Sequence, residues 1–164
     1  MQAATCARPG RPAGFTLVEL MVVVAIATVL FALAVPSYMS YVRQSRRTEA
    51  RTAVLDLAGR EERYFSTNGA TYANTTANLG YTGAFPVAVG SGYYNLTVCV
   101  PANANCTAGL GMPNPPAAPS YTVVATPVAG LSQVNDLQCT AFAVDSTGQQ
   151  FASGTGGTAY CWSN

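Results

Sequence analysis

The chain has 164 residues, 49% hydrophobic and 9% charged, with a formal net charge of +1; this fits one modest domain plus a membrane segment rather than two soluble domains. It contains neither Lys nor His, so lysine nucleophiles, imidazole bases and imidazole metal ligands are excluded and an enzyme is not expected. Every Arg lies at or before Arg63, and the only later carboxylates are Asp136 and Asp145; that region has no phosphate-neutralising surface of its own, and nucleic acid is not expected as its partner.

The first element is an apolar run from Phe15 to Val35, 21 residues whose only charged member is Glu19. A helix of that length spans about 31 Å, close to the roughly 30 Å hydrocarbon core of a bilayer. Arg8 and Arg11 precede it, which predicts a cytoplasmic N-terminus and a translocated remainder. Basic residues, an apolar core and Ala32-Leu33-Ala34 also match a secretory signal with a small-residue cleavage site. Glu19 counts against that alternative, because a carboxylate in the apolar segment weakens insertion. Thr16 and Glu19 in addition fit a capping box for the first helical turn.

Pro36 lacks an N–H and clashes with the preceding turn, so a kink is expected there rather than a stop. Beyond it, Tyr38, Val42, Ala50, Val54, Leu57, Ala58, Tyr64 and Phe65 recur at three-to-four-residue spacing, the stripe of an amphipathic helix lying on a core. Arg46 with Glu49 and Asp56 with Arg60 are spaced to pair along it. Six arginines between Arg43 and Arg63 stand against Glu49, Asp56, Glu61 and Glu62, a balance of +2, which reads as a solvated or subunit-facing surface. Ser66 to Gly69 carries helix-stop chemistry.

Asn68 to Gly92 is rich in Gly, Asn, Thr and Ala and reads as a long connecting loop. Tyr93 to Val100 alternates, with Tyr94, Leu96, Val98 and Val100 on one face; Tyr121 to Thr126 and Thr140 to Val144 read as further strands. Asp145-Ser-Thr-Gly148 predicts a hairpin turn into Gln149 to Ala152. Three or four antiparallel strands would bury that face against the helix stripe. Pro101 to Ser120 is too proline-rich for a central strand and reads as an exposed loop. Gly154-Thr-Gly-Gly157 reads as a loop that is not placed between a strand and a helix start. Asn74, Asn95 and Asn105 begin glycosylation-like triplets, to which no role is assigned. Cys99, Cys106, Cys139 and Cys161 predict disulfides in an oxidising compartment rather than a metal site, since His and paired C-x-x-C spacing are both lacking. Three connectivities exist for four cysteines.

Gly14-Phe15-Thr16-Leu17-Val18-Glu19, followed by an unbroken apolar helix, resembles the type IV prepilin signature. The resemblance implies that a prepilin peptidase cuts after Gly14 and removes residues 1–14, Cys6 among them, leaving Phe15 as an N-methylated first residue. The apolar segment 15–35 is then retained, and Glu19 becomes the fifth residue of the mature chain. In a membrane it would lie about 6 Å along the helix from Phe15, escaping most of the roughly 2.5 to 3.5 kcal/mol that a charge costs at mid-bilayer. In a filament its partner would be the α-amino group of Phe15 on a neighbouring subunit. "RRTEARTAVLDLAGREERYFSTNGATY", Arg46 to Tyr72, resembles the segment after the anchor in PilE-like minor pilins and in DNA-uptake receptor pilins.

The fold thereby implied is α+β, of the type IV pilin kind. A long N-terminal helix over 15–66 would be followed by an αβ-loop over 67–92 and an antiparallel sheet over 93–164, of three to four strands, with a C-terminal disulfide loop. We favour Cys99 with Cys106 and Cys139 with Cys161, the second because it resembles the C-terminal disulfide loop of pilins. The function implied is that of a structural pilus subunit, of the minor class, with assembly residues Glu19 and Pro36 and without cofactor or metal. Its partners would be other pilins, the prepilin peptidase and methylase, and the inner-membrane assembly platform. It would reside in the inner membrane with its globular part in the periplasm, and then in a surface pilus. The alternatives are a DNA-uptake receptor pilin and a type II secretion pseudopilin, whose commonest form wants a calcium loop that two isolated Asp residues serve poorly.

Overall fold

The computed structural model describes residues 14–102, 107, 109–115 and 117–163. The chain divides into two compact units, Met1–Met39 and Ser40–Asn164. Helix α1, Leu17–Thr67, supplies nearly all the described residues of the first unit and continues into the second, running through Pro36 without losing helical assignment. Its start is set by Thr16, whose Oγ1 accepts a hydrogen bond from the Glu19 backbone N–H at 3.2 Å, as an N-cap does. Its end falls at the Ser-Thr-Asn-Gly stretch, where Gly69 takes a positive φ of 68°.

In the second unit, five strands follow: β1 (Val87–Val89), β2 (Tyr94–Cys99), β3 (Thr122–Pro127), β4 (Ala141–Asp145) and β5 (Gln150–Ser153). They form one sheet in the order β1-β2-β3-β4-β5, every neighbouring pair antiparallel. A seven-residue helix α2, Gly157–Ser163, follows β5. The architecture is α+β, with five strands where three or four were expected. The additional strand, β1, lies inside the stretch read as a connecting loop; three residues are too few to show alternation in sequence.

Two sets of residues make the core. Ala50, Val54, Leu57 and Ala58 of α1 pack on Tyr94, Leu96 and Val98 of β2, Val123 and Ala125 of β3, and Phe142 and Val144 of β4. The opposite face of the sheet is covered as well. Met112, with Leu110 beside it, packs on Cys99, Val124, Ala141 and Ala143. Met112 and Thr107 are buried, so the proline-rich stretch read as an exposed loop is in part a lid over β3 and β4. A disulfide joins Cys139 to Cys161 and ties α2 to the start of β4. Cys99 is also disulfide-bonded; its expected partner Cys106 lies outside the described residues.

Gly154 and Gly156 lie between β5 and α2, and Gly157 opens α2, so the reading that this stretch is not placed between a strand and a helix start is corrected. Close packing accounts for the first of them. Gly154 has φ +118°, and a Cβ there would run into the Gln138 carbonyl oxygen, so this position admits no larger residue.

One core residue carries a charge problem. Glu61 lies on the buried stripe of α1 and is fully inaccessible to solvent. Its Oε2 accepts the Ala73 backbone N–H at 2.9 Å, pinning the chain beyond the helix back onto α1, while Oε1 has no hydrogen-bond partner among the described residues. Burial pushes this carboxyl up to about 7, reinforced by the charge of Glu62 and opposed by the Ala73 N–H. In the unfolded chain the same carboxyl loses its proton near its ordinary value of 4.5. The folded state therefore binds more protons between these values, and stability falls as pH rises through that window. The loss expected from this one group is about 3 kcal/mol, complete above pH 7. Glu61→Gln should remove that part of the slope and be more stable than the parent at pH 8 in urea unfolding; identical pH profiles for the two chains would refute the assignment.

Candidate functional site

In the first unit the described residues are almost without exception exposed. An 18-residue window of α1 has a mean hydropathy of 2.7 and no buried residue, and the helix is long and apolar enough to cross a membrane. Phe15 is 85% exposed and Phe31 66%, so the aromatic residues of this segment find no intramolecular cover. Gly14 and Phe15 precede the first helical turn, Glu19 lies within it, and Pro36 stands inside the helix. These are the residues on which processing and assembly were expected to depend.

In the second unit the arginines of α1 do something other than face solvent. Arg47 is buried and donates from Nε and Nη2 to the two carboxylate oxygens of Asp136, both at 2.6 Å. Nη2 also donates to Gln138 Oε1 at 3.1 Å. Gln133 Nε2 in turn donates to Asp136 Oδ2 at 3.0 Å and to the Tyr94 hydroxyl at 3.1 Å. The Asp136 carboxylate holds the guanidinium pKa above its ordinary value, against desolvation. Burial pushes the Tyr94 phenol up to about 12, opposed by the Gln133 hydrogen bond. Helix, sheet and the β3–β4 connection thus meet at one two-pronged ion pair, the geometry that a guanidinium and a carboxylate favour.

Three further arginines of α1 also bind their own chain. Arg46 stacks over the Tyr93 ring at 3.4 Å and donates to Ser132 Oγ at 2.9 Å. Arg51 donates to the Trp162 carbonyl at 2.9 Å. Arg60 pairs with Asp56 at 2.8 Å as expected, donates to the Leu79 carbonyl, and lies over Tyr81. The expected Arg46–Glu49 pair does not form. Glu49 Oε2 instead accepts the Ser91 N–H at 2.9 Å and the Ser91 hydroxyl at 2.7 Å, bonds that hold its pKa below the ordinary carboxylate value. Gly90 makes room for this grip, since a Cβ there would stand 2.5 Å from Glu49 Oε2. The reading of this block as a solvated or subunit-facing surface is therefore corrected for Arg46, Arg47, Arg51 and Arg60, which bind their own chain. The guanidinium groups of Arg43 and Arg63 have no hydrogen-bond or ion-pair partner among the described residues.

The sequence reading missed Arg47–Asp136 altogether, because 89 positions separate the partners and Asp136 stands in a stretch without other charges. One signal was present. Arg47 and Glu61 continue the Ala50, Val54, Leu57 stripe by helical spacing, and a charged residue on a buried stripe calls for a partner. Among the described residues no group of three or more His, Cys, Asp or Glu is placed to hold a metal ion. Arg47→Ala should cost about 3 to 5 kcal/mol in denaturant unfolding, because it strands the Asp136 carboxylate, whereas Arg47→Met combined with Asp136→Leu should recover most of that loss. Equal losses for the single and the double variant would show that the pair is not the cause.

Comparison with known proteins places this geometry. The family model described as type IV minor pilin ComP, DNA uptake sequence receptor, matches residues 36–143, and the prokaryotic N-terminal methylation motif matches residues 10–35. The fimbrial protein EcpC of Eikenella corrodens is 41% identical over 64 residues, 39% of this chain and 42% of that protein. The type IV major pilin protein PilA of Myxococcus xanthus is 41% identical over 56 residues, 34% of this chain and 26% of that protein. The matches thus span less than half the length of these curated relatives. A solved type IV pilin from Shewanella oneidensis aligns at 19% identity with a TM-score of 0.40, covering 66% of this chain and 89% of that one. With a family model matching well over half of its length, the chain belongs to the family of the type IV minor pilin ComP.

Proposed function

We propose that this chain is a subunit of a type IV pilus, of the minor class, held in the inner membrane by helix residues 15–35 and then taken into the filament through the same residues. The observation that carries the reading is the contrast between a packed second unit and an apolar helical window without one buried residue. Water is a poor surrounding for such a surface. Lipid provides an apolar surrounding before assembly, and the equivalent helices of other subunits provide one afterwards. The match to the N-terminal methylation motif over residues 10–35 supports processing after Gly14 and methylation of Phe15. In this reading the peptidase, the methylase and the assembly platform are its successive partners, the globular part lies in the periplasm, and no catalytic role is assigned to the chain.

Glu19 is the register residue in this proposal. Buried among apolar helices, its carboxylate needs a partner, and the free α-amino group of Phe15 on a neighbour supplies one. At about 4 Å and an effective dielectric near 20 the attraction is roughly 4 kcal/mol before desolvation, so the pair serves alignment more than net stability. Mass spectrometry of the mature protein should find methyl-phenylalanine at Phe15; a chain beginning at Val35 would instead mark an ordinary secreted protein. Glu19→Ala should lower incorporation into sheared pili several-fold at unchanged membrane levels, and undiminished incorporation would sink the register role.

A DNA-receptor pilin is the second reading, favoured by the description of the matched family. Of the arginines beyond the anchor, the guanidinium groups of Arg43 and Arg63 remain uncommitted to intramolecular bonds among the described residues. Two phosphate contacts correspond to a slope of log affinity against log salt of about −2. Gel shifts with the detergent-solubilised mature chain should give weak binding with a slope no steeper than that. A slope beyond about −4 with tight binding would put the receptor role ahead of the structural one.

A further inference from the structure

The chain that follows α1 folds back along it and is tied down by polar bonds of two kinds. Tyr81 donates its hydroxyl to Asp56 Oδ2 at 3.2 Å, and Arg60 Nη1 donates to the Leu79 carbonyl at 2.9 Å. Tyr72 donates its hydroxyl to Glu62 Oε1 at 3.2 Å, and Asn78 Nδ2 donates to the Tyr64 hydroxyl at 3.1 Å. These bonds lie wholly or partly in contact with solvent, where water competes and each adds little. The bond from the Ala73 N–H to Glu61 Oε2 is buried. The same stretch begins under strain: Ala70 has a φ of +58°, in the left-handed region that residues with a side chain adopt at a cost.

The buried bond ends on a group that pays heavily for being both enclosed and charged. Glu61 is inaccessible to solvent, and its Oε1 has no hydrogen-bond partner among the described residues. The titratable groups that interact with it are Glu62 on α1, Tyr72 on the returning chain and Tyr121 next to β3, and none of them is a cation. Tyr72 is held between the rings of Phe65 and Tyr121, with centroids at 4.5 and 4.7 Å. A carboxylate with one N–H donor and no cation has two ways out: it takes up a proton or it reaches water. Unfolding the whole unit would bring it water. Lifting the returning chain does the same at lower cost, because it breaks the Ala73 bond and solvent-facing ones and withdraws only Ala73, Thr76 and Leu79 from buried positions.

We propose that residues 70–81 form a strap that the uncharged Glu61 carboxyl holds shut, and that the strap lifts from α1 when this carboxyl ionises. In the closed form Oε2 accepts the Ala73 N–H and the partnerless Oε1 carries the proton. Every group in the device belongs to the second unit, so it operates whether or not the first unit is in a membrane. The sign of the effect follows from proton counting. Burial pushes the enclosed carboxyl up to about 7, whereas a hydrated one loses its proton near 4.5. The closed form binds more protons between these values, so the open form gains on it as pH rises from 4.5 and gains no further above 7. From pH 6 to pH 8 the gain is about tenfold.

Hydrogen exchange of the full chain in detergent micelles measures the opening, once each rate is corrected for the base-catalysed exchange of an unprotected amide. The opening constant at the Ala73 amide should rise about tenfold between pH 6 and pH 8. At both pH values it should exceed that of the β3 amides roughly tenfold or more, as local opening requires. Glu61→Gln should abolish the rise and keep the strap shut at pH 8. Glu62→Gln, at an exposed position, should bring the plateau to lower pH, because a like charge beside Glu61 has gone. Exchange of Ala73 and β3 at one common rate would mean that only global unfolding hydrates Glu61; the strap is then overturned while the effect of Glu61 on stability stands. An opening that does not change with pH, or a rise that survives in Glu61→Gln, overturns it as well. Should Glu61→Gln fail to fold, the parent chain and Glu62→Gln still decide, with an unmoved plateau in Glu62→Gln as the overturning result.

Discussion

One helix has to satisfy two surroundings that demand opposite surfaces. Over residues 17–35 it is apolar on every side but for Glu19, a surface that only an apolar medium rewards. Past Ser40 it carries charge on most faces and a narrow buried stripe, which only a packed partner rewards. Everything else in the molecule follows from that change of solvent within a single element. The sheet exists to cover the stripe, and the polar bonds around Arg46, Arg47, Glu49, Arg51 and Arg60 clamp the sheet onto it.

The clamp is costly chemistry used for geometry. A buried guanidinium and carboxylate gain much of their mutual attraction only to offset the water they lose, so the Arg47–Asp136 pair is not a large net source of stability. It provides definition. Two parallel N–H···O bonds fix distance and angle together, and Gln133 extends that definition to Tyr94 at the centre of the sheet. For the filament subunit proposed above, a fixed angle between helix and sheet matters more than a few further kcal/mol.

The sequence was a good guide wherever local pattern decides. The apolar run, the cap at Thr16, the end of the helix and four of the strands all follow from spacing and turn chemistry, and they lie within a residue or two of where those signals put them. It was a poor guide wherever a residue's role is set by something distant in the chain. Arg47 and Glu61 look like solvated charges because their neighbours in sequence are charged; burial comes from a sheet that begins decades of residues later. Arg46 and Glu49 are spaced to pair on a helix, but an aromatic ring and a turn amide from the β1–β2 region compete more effectively for them. Met112 sits among prolines that signal a loop, and nothing local reveals that this loop closes a second core. Glu19 is the reverse case, conspicuous in sequence because the apolar run offers it no intramolecular partner.

The wide separation of Arg47 and Asp136 has a consequence for the order of events during synthesis. The ribosome delivers the helix first; its stripe waits about 40 residues for β2, and its cationic Arg47 waits almost ninety for Asp136. The strands then arrive in the order in which they lie side by side, so each can join its predecessor without waiting. Only when the β3–β4 connection emerges can the clamp shut. Until then the strands already made can cover the stripe, but Arg47 remains an unpaired cation at its edge, and whatever escorts the chain must leave that place open for the late-coming carboxylate.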